Sequence, residues 1–145
     1  MSEKSYLSWI IYAPKYKRAP GSSLISNIID NGTATSPGLE TIFDKLSVCI
    51  TNDGVIALRK VRDETSENSL ELQVDSGLYL LTLYSEDEKG EQRIRAYHNE
   101  TLGKERVEIL GDMWAACSIC RDPAFVRNVF EEFVNTGDVS LDLLT

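Results

Sequence analysis

From Val55 to His98 apolar and polar residues alternate in short runs separated by turn signals, and that pattern demands an antiparallel sheet. Leu70, Leu72 and Val74 alternate with Glu71, Gln73 and Asp75, which makes one face of the run dry and the other wet. Asp75-Ser76-Gly77 supplies a tight turn. The next run, Leu78 to Tyr84, is apolar on both faces, which places it centrally in the sheet. Val55 to Val61 comes before this pair, after the turn signal Asn52-Asp53-Gly54. Gln92 to His98 follows a turn over Glu86 to Gly90, and Arg106 to Leu110 and Met113 to Ile119 continue the meander on either side of Gly111-Asp112.

The flanks supply one more strand and the helices. Tyr6 to Tyr12 is aromatic and β-branched, as a strand is, and Pro14 and Pro20-Gly21 break it. Lys15, Lys17 and Arg18 between them read as a solvated basic loop. Ser22 or Ser23 can cap a short helix through Asp30, with Leu24, Ile25, Ile28 and Ile29 on one face and Asn31-Gly32 as its C-cap. Ser36-Pro37 opens a second helix, whose Leu39, Ile42, Phe43 and Leu46 form one stripe. Asp122-Pro123 opens a third, with Phe125, Val126, Val129, Phe130 and Phe133 facing inward and Thr136-Gly137 as its end. Val139, Leu141, Leu143 and Leu144 form an apolar tail that tucks against the body. These faces are satisfied by one α+β domain over residues 1–145, with a mostly antiparallel meander of five or six strands and helices packed on one side.

Composition narrows the function classes. No run approaches the roughly 20 apolar residues that span a bilayer, and the N-terminal stretch reads as a strand and not a signal peptide. The expected location is the cytoplasm. Cys49, Cys117 and Cys120 are too few and too odd in number for a disulfide scaffold. The formal net charge is −8, which argues against direct nucleic-acid binding. Its distribution is more informative. From Asp63 to Glu91 nine acids face a single base, Lys89, whereas the rest of the chain holds 14 acids and 14 bases. The excess is either a solvated face or a docking surface for a basic partner, and Asp63, Glu64, Glu67, Glu71, Asp75, Glu86, Asp87 and Glu88 are the candidate contact residues.

No arrangement of residues carries chemistry. Cys117-Ser118-Ile119-Cys120 lacks the second ligand pair of a zinc site, and its second cysteine, not its first, lies nearer the helix cap. His98, the only histidine, has no spacing that ties it to Cys117. Phosphate loops, nucleophile elbows and metalloprotease helices are absent from the sequence. Arg93, Arg95 and Tyr97 could stack bases on a sheet, but arginines beside an acidic turn more often pair with its acids. No cofactor, metal or catalytic residue is expected, and the chain is read as a binding protein and not an enzyme.

Three segments of the C-terminal half carry a resemblance. Gly77 to Leu83, Ile109-Leu110-Gly111-Asp112-Met113-Trp114, and Phe130-Glu131-Glu132-Phe133 with Thr136 to Ser140 resemble bacterial immunity proteins of toxin–immunity systems, including contact-dependent growth inhibition. The resemblance implies a cytoplasmic chain without an active site that binds and neutralises a cognate toxin domain. Many such toxins are nucleases with basic clefts, which an acidic surface complements. No binding residue carries over from the family, so the candidate residues rest on charge alone. The alternatives are an adaptor that binds another cellular protein and a small cysteine-dependent enzyme.

Overall fold

The computed structural model describes residues 3–63, 66–86 and 89–145, with Asp63 described in its backbone only. The strands are β1 (Lys4–Tyr12), β2 (Ile28–Thr35), β3 (Asp53–Asp63), β4 (Ser66–Asp75), β5 (Leu78–Glu86), β6 (Gln92–Ala96), β7 (Arg106–Ile109) and β8 (Asp112–Ala115). Helix α1 covers Leu39–Thr51 and α2 covers Pro123–Thr136. The first six strands form one sheet in the order β2-β1-β3-β4-β5-β6, antiparallel at every junction, while β7 and β8 make a separate hairpin. This is an α+β fold with both helices on one face of the sheet.

Register explains the core. Leu7 pairs with Leu58, Leu58 with Leu70, and Leu70 with Leu83. One row of leucines therefore crosses four strands on one face, and Ile56, Leu72 and Leu81 form the next row. Ile42, Leu46 and Cys49 of α1 and Val126, Val129, Phe130 and Phe133 of α2 close over these rows, all buried. Helix α2 ends as its sequence dictates. The Asp122 carboxylate accepts from the Ala124 N–H at 2.9 Å, Pro123 takes the first turn, and Gly137 adopts the left-handed conformation at φ 76°.

β5 is apolar on both faces because both are covered. Its Leu81 and Leu83 face the helices, whereas Leu80 is buried on the opposite side. There Ile109 of the β7–β8 hairpin is buried too, and the Leu110 N–H donates to the Asp75 carboxylate at 2.9 Å.

Three sequence expectations are corrected. The helix expected over Ser22 to Asp30 is a single 3-10 turn, Ile25–Asn27, followed by β2, and Asn31-Gly32 lies inside that strand. Gly32 is there because the Trp9 ring of β1 lies over it: a Cβ would meet Trp9 Cζ2 at 2.7 Å. Helix α1 starts after Gly38, one residue beyond Pro37, with no side-chain cap. The last strand stops at Ala115, and Ala116–Ser118 is a 3-10 turn.

Candidate partner-binding face

The helices cover one face of the sheet and the β7–β8 hairpin covers one end of the other. Among the described residues, nothing covers the remainder of that second face. Its residues follow from the period of two: Glu67 and Glu71 lie opposite Leu70 and Leu72 on β4, and Tyr84 and Glu86 lie opposite Leu83 on β5. Tyr6, Arg59 and Ala57 lie on the same face of β1 and β3. Near its middle Tyr6, Ser8, Thr33, Ala57, Arg59 and Ser69 line a shallow concavity of about 350 Å3. A second, of about 360 Å3, includes Ile10, Asn31 and Val55. Ile10, which lines it, is 40% exposed, and Ile29 of β2 is 54% exposed.

The charges of this face are organised. Arg59 meets Glu67 at 3.3 Å and its guanidinium lies 4.9 Å from the Tyr6 ring centre. Glu71 accepts from the Gln73 amide at 3.2 Å. Burial, and then the Glu71 carboxylate, push the Tyr84 phenol above its ordinary range. Of the eight acids selected by charge, the structure thus brings Glu67, Glu71 and Glu86 to one open face. Glu64, Asp87, Glu88 and the Asp63 side chain lie outside the described residues.

Asp75 is corrected. It is 7% exposed, and its carboxylate is used within the fold, accepting from the Leu110 N–H and the Ser76 hydroxyl. The hairpin that buries Leu80 buries Asp75 with it, so it does not face a partner.

In the basic loop after β1, Lys15 and Lys17 are exposed as expected, but Arg18 is placed differently. Arg18 is not solvated but bonds the carboxylate of Asp53, which is 1% exposed. Asp53 also accepts from the backbone N–H groups of Lys15 and Ser76, tying the loop after β1 to the β4–β5 turn. Burial pushes its carboxyl up, against the downward pull of the Ser76 N–H and Arg18.

At the opposite end of the helix-covered face, Lys60 donates to the Val134 carbonyl at 2.6 Å and Asn68 to that of Gly137 at 2.8 Å. Arg95 donates to the Val139 carbonyl and meets Asp138 at 3.5 Å. The Lys60 and Asn68 donors occupy carbonyls that the end of α2 leaves without partners in the helix, and Lys60 also favours its negative pole. Arg95 therefore serves the tail, and the Tyr97 ring packs edge-on against Phe125 at 5.2 Å.

Two of the thiols, Cys49 and Cys120, are not activated. Burial raises Cys49 to about 12, and burial also raises Cys120. The backbone brings position 99 to Cys117, whose carbonyl accepts from the Asn99 N–H at 2.8 Å, but the neighbouring His98 is exposed. Among the described residues, no three histidine, cysteine, aspartate or glutamate side chains gather to hold a metal. No described helix is long and apolar enough to cross a membrane.

Tyr6, Arg59 and Tyr84 were not among the residues selected by charge. The alternation in β1, β3 and β5 was the available signal, since it puts each of them opposite a buried leucine.

Residues 21–143 match the profile of a family of unknown function, DUF6911. No curated protein matches the chain. Among solved structures, the crystal structure of a hypothetical protein from Neisseria gonorrhoeae is similar, with a TM-score of 0.70 over 94% of this chain and 91% of that one, at 17% identity. That likeness concerns the fold alone.

Proposed function

The chain belongs to DUF6911, a family of unknown function, and we propose that it is an immunity protein that binds a cognate toxin domain and blocks it. The toxin domain is of the basic, nuclease-like kind, and the encounter takes place in the cytoplasm. The chain does no chemistry of its own.

One observation carries this reading: Glu67, Glu71 and Glu86 share the face of the sheet that neither helix covers. A nuclease cleft is basic because it holds phosphates, and carboxylates on an open face can occupy the same cationic groups. The long-range field of a −8 chain accelerates approach to such a cleft. The shallow concavity beside these acids leaves room for protruding side chains of the partner. Protonated thiols at Cys49 and Cys120 agree with a binding role, since the thiolate is the nucleophile.

The test is protection. Cells expressing this chain are exposed to the C-terminal domain of a large secreted protein encoded beside its gene. Survival that requires the chain, with a stable complex recovered from the survivors, supports the proposal. Killing at the same rate with and without the chain overturns it, and a different cellular protein held on this face would make the chain an adaptor.

A further inference from the structure

The sheet ends differently on its two sides. β6 has five residues, two of them arginines, and the tail reaches it: the Thr145 N–H donates to the Ala96 carbonyl at 3.1 Å. β2 has eight residues, and among the described residues no strand pairs with its outer side. It carries no lysine, arginine or proline, and its one irregularity lies at its start, where Ile28 meets Tyr12. Basic residues, proline and bulges are devices that ordinarily keep an edge from pairing, and beyond its first residue β2 has none of these. Its single charge, Asp30, is engaged within the chain by Lys45 at 2.8 Å and the Trp9 indole at 3.2 Å.

We propose that β2 is the seam of a homodimer, two copies pairing antiparallel about a two-fold axis at Asn31, normal to the sheet. Charge selects the occupant. Ala19 to Leu39 contains one charged residue in a chain that is 26% charged, so this edge is where a −8 molecule can approach its own copy. A strongly basic partner would find nothing there to hold.

Geometry then selects the register. Residues opposed across an antiparallel pair share a face, so the axis must place odd numbers against odd and even against even. An axis at Asn31 sets Ile28 against Ala34, Ile29 against Thr33, and Asp30 against Gly32. Asp30 never meets its own copy, and the two Asn31 amides, which are self-complementary in donors and acceptors, face one another. Both pairs of helices fall on one side, and the two open faces join into one. A two-fold pairing uses the β2 edge of both copies at once, so this contact closes at two and does not itself propagate a filament. The contact is one strand wide, smaller than a standard interface, and the dimer is accordingly weak.

The inference does not rest on the immunity reading. The two respond oppositely to salt: screening weakens attraction to a basic toxin but strengthens pairing between two acidic copies. Sedimentation of the full chain from micromolar to millimolar concentration tests the seam. The expected result is a monomer–dimer equilibrium that tightens with added salt and produces no larger species. Asn31→Lys with Thr33→Lys, placing like charges across the axis, should weaken it by about tenfold or more with unchanged circular dichroism. Asn31→Cys should form a disulfide-linked dimer on mild oxidation, because opposed Cα atoms at about 4.5–5.5 Å suit a disulfide. Ile94→Cys, on the β6 edge, should not. A chain that stays monomeric at millimolar concentration, a dimer indifferent to the lysines, or Ile94→Cys linking as readily as Asn31→Cys would each overturn the proposal.

Discussion

Replacing Phe130 by alanine tests whether α2 is seated on the sheet or offers its aromatic stripe to a partner. Phe130 is fully buried in the cluster formed by α1, α2 and the leucine rows. Truncating such a ring costs about 3–5 kcal/mol, which combines lost transfer energy with the cavity left behind. Domains are stable by only about 5–15 kcal/mol, so this substitution removes a large share of the total. The unfolding entropy of a chain this long is roughly 0.3 kcal/mol per kelvin, from about 2.1 cal/mol/K per residue. The melting temperature should therefore fall by about 10–16 °C. Thermal scans followed by circular dichroism and by tryptophan fluorescence should agree on that shift, and urea titration should show a lower midpoint at an unchanged slope. A fall of only a degree or two would refute the packing described for α2. If partner binding vanished at the same time, the stripe would be an interface and not core.

Three further outcomes are expected. Gly54→Ala should destabilise the protein by about 1–3 kcal/mol or more, read by urea titration, because φ there is 147° and a Cβ would lie 2.2 Å from the Ile10 carbonyl oxygen. The hydrogen bond from Lys45 holds Asp30 below its ordinary value of 3.8. Its contribution to stability is therefore present above that value and lost as pH falls through the lower folded one, and an NMR titration should show Lys45→Met returning the midpoint toward 3.8. Cys49, raised to about 12, should not react with a thiol reagent at mildly alkaline pH until the protein is unfolded, when all three cysteines react; elemental analysis should find no stoichiometric zinc.

The parts of the fold legible in the sequence are those written in local patterns. The alternation in β4, the Ser76-Gly77 turn and the capped α2 each need only neighbouring residues to specify them. β2 was hidden because Leu24, Ile25, Ile28 and Ile29 also satisfy a helical stripe. The information that decides it sits on another strand, where Trp9 covers Gly32 and bonds Asp30. Asp53 looked like a turn residue, yet it is a buried anchor whose donors come from residues 15, 18 and 76. The acidic run was visible as charge. Which acids share a surface was not, because that depends on the hairpin that covers Asp75 and leaves Glu67, Glu71 and Glu86 open.

Under the proposed function, those three carboxylates steer and hold a basic toxin domain. Stopped-flow association of the toxin domain with the parent chain and with Glu67→Gln/Glu71→Gln/Glu86→Gln, at low and at high salt, tests it most directly. The parent should associate faster at low salt, and the triple variant should associate more slowly with a flatter salt dependence while keeping its circular dichroism. Any of the three that is desolvated in the complex should also raise the off-rate, at a cost of roughly 2–5 kcal/mol. Identical rates and salt slopes for parent and variant would show that these carboxylates do not meet the toxin domain.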